Sequence, residues 1–82
     1  MTYFVYMLKC VSCKTRRTYV GYTTNLITRI NLHNSGKGAK FTRGNKWVLI
    51  YKKKFLLKSK AMSYEYLLKN DKNKRLYIYN DS

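Results

Sequence analysis

Residues 19–26, Tyr-Val-Gly-Tyr-Thr-Thr-Asn-Leu, constrain the fold of this chain more than any other stretch. Aromatic and β-branched residues predict the end of a strand, and the glycine allows another group to approach the backbone closely. Thr23, Thr24 and Asn25 follow, and each of these residue types caps helices well. The stretch therefore predicts a strand that leads directly into the capped start of a helix.

The predicted helix covers residues 26–34 and carries Arg29 and His33 on one side, because helical residues four apart share a face. Leu26 and Ile30 form an apolar stripe with His33. A histidine on such a stripe is more often a hydrogen-bonded core residue than a catalytic group. A guanidinium next to it keeps a phosphate-handling role open.

Three segments have the composition of β-strands. Residues 2–10 place apolar side chains in both alternating sets, which predicts a strand buried on both faces. Residues 17–22 predict a second strand, joined to the first through the polar connection 11–16 as an antiparallel hairpin. Residues 46–53 predict a third strand, which continues into a run of lysines.

A second helix is predicted over residues 60–70, with Ser59 as its cap. Glu65 falls in one apolar sector of this helix, together with Ala61, Met62 and Leu68. A lone carboxylate is costly to bury unless something pairs with it. A structural salt bridge is the ordinary explanation, and we favour a metal ion or a catalytic pocket. A rival apolar stripe, Tyr64, Leu67 and Leu68, competes with this orientation.

The length of 82 residues predicts one small domain over residues 1–82. Its tail predicts a short helix that closes the core with Leu76, Tyr77 and Ile78. No run is apolar enough to span a bilayer, and the N-terminus lacks the layout of a signal peptide. We therefore expect a soluble, intracellular protein that has no membrane partner.

Charge is the strongest feature of the composition: eighteen Lys and Arg face three acids, for a formal net charge of +15. So basic a small domain repels itself, and binding to a polyanion relieves that repulsion. An anionic membrane is the weaker candidate, because no long basic amphipathic helix with an apolar face is present. The charge therefore predicts nucleic acid as the partner.

The acids and cysteines restrict the metal chemistry. Nothing before Glu65 is acidic, so a clustered two-metal site, which gathers several carboxylates, is not expected. Cys10 and Cys13 have a CxxC spacing, but a four-ligand zinc site needs two more ligands and His33 is the sole histidine. A redox pair lacks its usual βαβ setting. We expect two reduced thiols near a hairpin turn.

Residues 34–45 contain three glycines and three cations with no acid, which predicts a mobile basic loop. This loop lacks the spacing and the preceding strand of a Walker phosphate-binding loop. It is either a solvated surface loop or a flap that contacts phosphate, with an aromatic ring available for stacking. The predicted nucleic-acid-binding residues are Lys37, Lys40, Phe41 and Arg43, with Tyr22 as a further stacking surface.

The chain resembles the GIY-YIG nuclease superfamily over about residues 3–70. Phe4-Val5-Tyr6 corresponds to the first motif, with Phe4 where the family has glycine, and Tyr19-Val20-Gly21 corresponds to the second. Residues 19–43 match the run YxGxTxxxxxRxxxHxxGxGAxxTR of its short stand-alone branch. The resemblance implies an α+β fold, with a three-stranded antiparallel sheet flanked by helices in the order ββαβαα.

The resemblance also implies roles for individual residues. Tyr6 and Tyr19 would be the two motif tyrosines, with Gly21 needed for close backbone approach. Arg29 would be the catalytic arginine and His33 the helix histidine. Glu65 would be the single metal-binding carboxylate, holding one Mg²⁺ or Mn²⁺ and no small-molecule cofactor. An asparagine after the glutamate acts in some relatives, and Asn70 and Asn80 are the residues available for it.

These features together predict a metal-dependent endonuclease that hydrolyses DNA by a one-metal route, in repair or recombination. Phosphate contacts carry no base information, so we expect selection of flaps, branches or junctions, or recruitment by a partner protein. The main alternative is a non-catalytic basic module that binds DNA or RNA. A structural or recruitment domain with a decayed active site is a third.

Overall fold

A computed structural model describes residues 1–82. Its centre is an antiparallel sheet of three strands: β1, Tyr3–Cys10; β2, Thr18–Thr23; and β3, Trp47–Phe55. β1 lies in the middle, in the order β2-β1-β3. Three helices complete the chain: α1, Leu26–Asn34; α2, Lys58–Lys69; and α3, Lys72–Asn80. The predicted α+β class and the order ββαβαα are confirmed.

The central strand β1 is buried on both faces, as predicted. Val5 and Met7 pack on one face with apolar residues of α2 and α3. Tyr6 and Leu8 pack on the other face, where α1 covers them. Each such side chain stabilises the fold by about 1.5–3 kcal/mol relative to an exposed one. β1 therefore joins two apolar clusters.

Asn34 fixes the end of α1 to the start of β3. Its side-chain amide donates to the carbonyl of Trp47 at 3.0 Å, and its side-chain oxygen accepts from the Trp47 N–H at 2.7 Å. The Trp47 indole N–H in turn donates to the Thr42 carbonyl at 2.9 Å. Both ends of the segment 35–46 are thus held in place.

The segment 35–46 folds back onto α1, so the alternative of a solvated surface loop is wrong for its middle. Thr42 is fully buried, and Gly38 lies against the His33 ring. A Cβ on Gly38 would lie 2.7 Å from Cγ of His33, closer than side-chain atoms normally approach. The glycine is therefore needed for this contact.

Two details of the predicted helices are wrong. α2 begins at Lys58 with Leu57 as its N-cap residue, so Ser59 is not the cap. Leu57 is still extended, and its carbonyl accepts the first helical hydrogen bond from Ala61. In α3 Tyr77 is 70% exposed, because a nine-residue helix turns only one narrow side to the core and Ile78 occupies it.

The cysteines also differ from the prediction of reduced thiols. Cys10 and Cys13 form a disulfide, with Cα atoms 5.7 Å apart, a separation that suits a bridge. Between them, the Ser12 hydroxyl accepts from the Lys46 N–H and donates to the Asn45 side chain. The closed turn after β1 therefore contacts the residues that precede β3.

None of the three helices has both the length and the apolar character that a membrane span requires.

Replacing Asn34 by alanine tests the connection between α1 and β3. We expect the free energy of unfolding to fall by about 1–3 kcal/mol, because two Trp47 backbone groups lose their partners. That corresponds to roughly 4–8 °C in Tm per kcal/mol for a domain of this size. The control is Asn31→Ala, at an exposed asparagine of the same helix, measured by thermal and urea unfolding. Equal losses in both variants would contradict the connection.

Candidate active site

A cleft of about 490 Å³ opens at the β2 edge of the sheet. Its walls come from four elements, because β1 and β2 contribute two phenols, α1 a guanidinium and α2 a carboxylate. The side chains concerned are Tyr6, Tyr19, Arg29 and Glu65. Four of the five predicted catalytic residues thus share one space, although 59 positions separate the first from the last.

Gly21 leaves the room that the Tyr6 ring occupies. The two residues are direct partners in the β1–β2 register. A Cβ at Gly21 would lie 2.6 Å from the phenol oxygen of Tyr6 and 2.8 Å from the ring carbon that carries it. Any side chain at position 21 would therefore displace the phenol.

His33 lies behind the cleft at the centre of a hydrogen-bond chain, and it is 1% exposed. Its Nδ1 lies 2.9 Å from the hydroxyl of Thr42, which itself donates to the carbonyl of Ala39 at 3.0 Å. Because a hydroxyl has one proton, Thr42 must accept from His33 Nδ1–H. In the neutral ring Nε2 is then an acceptor, and the Tyr6 phenol donates to it at 2.9 Å.

Burial shifts the pKa values of Tyr6 and His33 in the directions that keep the phenol as the donor and the imidazole as the acceptor. Burial raises the pKa of the Tyr6 phenol well above its ordinary value, Tyr19 and Glu65 add to the effect, and Arg29 opposes it. Burial lowers the pKa of His33, and the positive charge of Arg29 lowers it further. At neutral pH the phenol therefore keeps its proton and the imidazole is neutral.

Arg29 presents its guanidinium to the cleft and has no ion pair, since the single salt bridge of the chain lies elsewhere. Its side chain also makes no hydrogen bond to another protein group, and the residue is half-buried. A planar guanidinium can donate two parallel hydrogen bonds to a phosphate or carboxylate. The cleft thus has a guanidinium that is free to bind an anion, and Lys58 is a second cation in its lining.

Glu65 is the carboxylate of the cleft, and its side chain is 18% exposed. Lys69, one turn later and half-exposed, approaches it to 3.4 Å. A pair of this kind contributes about 0.3–0.5 kcal/mol, so a competing ligand can replace the lysine. Of the predicted apolar sector, Ala61 and Leu68 are buried as expected, whereas Met62 is 47% exposed.

The donor set around Glu65 fits a hard cation. No group of three His, Cys, Asp or Glu residues could enclose a metal ion. An ion at Glu65 would thus have one carboxylate from the protein, and its other ligands would be water or oxygens of a bound molecule. Mg²⁺ commonly binds in this way, because it keeps several waters and takes one or two carboxylates.

The predicted nucleic-acid-binding residues separate into two groups. Tyr22 lines the cleft, and the half-exposed Phe41 stacks against Tyr19 with ring centroids 6.4 Å apart. The guanidinium of Arg17 covers Phe41 at 4.4 Å from its centroid. The loop cations are exposed and do not line the cleft: Lys37, Lys40 and Arg43.

Neither available asparagine reaches the cleft. Asn70 caps the end of α2, where its side chain donates to the Tyr66 carbonyl at 2.8 Å, and Asn80 ends α3. Sequence reasoning also missed contributors to the site. Lys69 could have been found from its spacing to Glu65. Thr42 gave no signal beyond its place in the matched run, because a buried loop threonine has no periodic pattern.

The sheet, its edge cleft and the side chains in that cleft define a small α+β domain suited to binding a phosphate. The chain belongs to the GIY-YIG family: the GIY-YIG catalytic domain matches residues 2–79. This is a nuclease superfamily, its members act on nucleic acid, and they generally use divalent metal ions.

Similar proteins occur in several bacteria. A UPF0213 protein of Oceanobacillus iheyensis is 46% identical over 68 residues, which are 82% of this chain and 76% of that protein. The UPF0213 protein YazA of Bacillus subtilis is 43% identical over 93% of this chain and 77% of its own length. The solution NMR structure of a UPF0213 protein from Bacillus halodurans, 39% identical, aligns with a TM-score of 0.57 over 98% of this chain and 84% of that one.

The hydrogen-bond chain predicts the state of the sole histidine. We expect His33 to remain neutral below its ordinary pKa of 6.5, as the Nδ1–H tautomer, because burial and Arg29 disfavour the charge. Nitrogen-15 NMR of the imidazole gives both the tautomer and the titration midpoint. In Thr42→Val the Nδ1–H loses its acceptor, and we expect its tautomer preference to weaken.

The same shift makes stability depend on pH. Below about pH 6.5 the unfolded chain binds a proton that the native His33 does not, so the free energy of unfolding falls as the pH drops toward the lowered pKa. Above 6.5 this group has no effect. A midpoint at or above 6.5, or an Nε2–H tautomer, would contradict the hydrogen-bond chain.

Proposed function

We propose that this protein is a metal-dependent endonuclease that hydrolyses phosphodiester bonds of DNA. The observation that carries the proposal is the convergence of two phenols, a free guanidinium and the lone carboxylate on one cleft of the GIY-YIG fold. A net charge of +15 supports a polyanionic substrate.

Arg29 would hold the scissile phosphate. Its guanidinium has no protein partner to give up, so binding a phosphate breaks no existing ion pair. Paired N–H donors orient two phosphate oxygens at once, and they stabilise the charge that builds on those oxygens in the transition state. Lysine offers a point charge without this geometry.

Glu65 would hold one divalent ion, Mg²⁺ or Mn²⁺, after releasing Lys69. Such an ion, when bound, supplies Lewis-acid polarisation of a phosphate oxygen. The freed ammonium of Lys69 would stay at the rim of the cleft and could pair with a neighbouring phosphate. When substrate and ion bind, Glu65 would thus exchange Lys69 for the metal ion, and Lys69 would exchange Glu65 for a phosphate.

Tyr6 and His33 would act together on the proton of the attacking water. As the water oxygen bonds to phosphorus, its proton would pass to the Tyr6 oxygen, while the Tyr6 proton moves to Nε2 of His33. The bond from phosphorus to the leaving sugar oxygen would break, and that oxygen would take up a proton from solvent. The extra proton on His33 would return to solvent through Tyr6. The existing Tyr6–His33 hydrogen bond favours Tyr6 over Tyr19 in this role.

We also propose that the substrate is structured DNA, such as a flap or a branch. The groups of the cleft are suited to phosphates, and phosphate contacts carry no sequence information. Selection by DNA shape, or recruitment by a partner protein, would then supply the selectivity. Repair and recombination are the processes in which such structures arise.

A non-catalytic nucleic-acid-binding module is the second candidate. The observation in its favour is that Glu65 contacts Lys69, which leaves the cleft without an unpaired carboxylate. Binding alone would need the cations and the stacked pair of Tyr19 and Phe41. Loss of Glu65 would then leave its function intact.

The variant Glu65→Gln separates these candidates. We expect wild-type protein to cut at least one of a labelled set of duplex, flap and branched DNAs with Mg²⁺ or Mn²⁺, and EDTA to abolish cutting. Glu65→Gln should cut at least roughly 100-fold more slowly, because the metal ligand is lost, but should still bind. The control Asp81→Asn makes the same charge change at the end of α3, outside the cleft. No cutting by wild type with either ion would favour the binding module.

Arg29→Lys tests the phosphate clamp while keeping the charge. We expect the rate of cleavage to fall by about 10²–10³, as for other donors that stabilise transition-state charge. Affinity should change far less, because lysine still attracts phosphate. The matched control is Arg43→Lys, in the loop away from the cleft. Single-turnover rates and binding curves on the same DNA measure the two effects, and equal losses in both would make Arg29 an ordinary contact.

A further inference from the structure

Two smaller pockets continue the cleft along the β2 edge. The first, of about 270 Å³, shares Tyr19 with the cleft. The second, of about 140 Å³, shares Thr18 with the first. We call these two pockets the edge groove. Their charged lining residues are all cations: Arg16, Lys69, Lys72 and Arg75.

Arg75 is the fixed cation of the edge groove and lines both pockets. Its Nη1 donates to the carbonyl of Leu68 at 2.9 Å and also to the carbonyl of Lys69. These bonds satisfy the end of α2 and hold the half-buried guanidinium in one place. Because a guanidinium has five N–H donors, others remain for a ligand, and little side-chain entropy is left to lose on binding.

Lys69 connects the edge groove to the cleft. Its ammonium contacts Glu65, which lines the cleft, while Lys69 itself lines the first pocket of the groove. A ligand that spans both spaces would therefore meet Lys69 at their junction. Glu65 is the only acid that lines the cleft or the edge groove, and Lys69 already partly neutralises it.

The strand β2 forms the floor of the path, and it is an edge strand of the sheet. Edge strands have unpaired backbone N–H groups on their outer side, and such groups contact nucleic-acid phosphates in many complexes. Thr18, Tyr19 and Val20 of this strand line the first pocket. The path thus combines the edge of a strand with cationic side chains.

We propose that the edge groove binds the phosphate backbone of a nucleic-acid strand where that strand leaves the cleft. That the ligand is a nucleic acid rests on the proposed function. The new element is the path that its strand takes across the protein surface. Two pockets of this size suit individual phosphates of one strand better than a whole duplex. The strand would therefore run from Arg29 past Lys69 toward Arg16 and Lys72.

The test uses two double variants with equal loss of charge, both made in the 82-residue Glu65→Gln chain so that binding is measured without cutting. The groove variant is Arg16→Ala with Lys72→Ala, since neither side chain donates a hydrogen bond to the backbone. The control is Lys54→Ala with Lys60→Ala, at exposed lysines outside every pocket. Thermal unfolding of both variants verifies that they are folded.

Single-stranded DNA and RNA of identical sequence, from 4 to 16 nucleotides long, are the probes. We expect the groove variant to lose roughly tenfold in affinity at 0.15 M salt and to lower the salt slope by about 1.4, or 0.7 for each phosphate contact removed. The control should keep the slope. Affinity should rise with strand length in the control and level off at shorter strands in the groove variant.

Equal losses in the two double variants, or an unchanged salt slope in the groove variant, would overturn the groove. If the wild type cuts DNA but the groove variant binds like the control, the groove fails and the proposed function stands. If the wild type neither binds nor cuts any probe, both fail. Tighter binding of RNA than DNA would support the edge groove as a binding site and contradict DNA as the substrate in the proposed function.

Discussion

The placement of one phenol, that of Tyr6, is the constraint on which the rest of the structure depends. Its ring lies against the bare backbone of Gly21, and its hydroxyl donates a hydrogen bond to Nε2 of His33. The pairing of β1 with β2 sets the first contact, and a slip of one residue would turn the phenol to the other face. The second contact needs Thr42 and Gly38 to hold the imidazole. The segment after α1 therefore positions the imidazole that accepts the hydrogen bond from Tyr6.

The sequence predicts those parts of the fold that repeat regularly. Strand β1 and helix α1 follow from alternating and helical patterns, and Arg29 reaches the cleft because the pattern fixes its side of the helix. Contacts between distant segments have no such pattern. Thr42 is buried because it contacts Trp47 and His33, and Tyr77 is exposed because the buried side of α3 is occupied by Ile78.

The cleft contains a carboxylate, although the chain as a whole is strongly positive. Eighteen cations surround three acids, and a single salt bridge, between Lys69 and Glu65, joins the two signs. The remaining cations form no salt bridge and far outnumber the two remaining acids, so their mutual repulsion favours any bound polyanion. A carboxylate in this field attracts cations of every kind, and Lys69 is simply the nearest. Lys69 is therefore the cation that Glu65 binds in the free protein, and a divalent ion would compete with it for the same carboxylate.

The raised pKa of Tyr6 keeps its phenol protonated at neutral pH, so it can accept a proton only if it passes on its own. The neutral His33 can take that proton. If both protons move together, no free phenolate forms, and the cost is an imidazolium next to Arg29. That guanidinium is one of the two causes of the lowered pKa of His33. A phosphate bound to Arg29 would cancel much of its positive field at the ring. In the proposed reaction the substrate would therefore raise the basicity of His33, so that the pair gains its strength as a base only when there is a phosphate to attack.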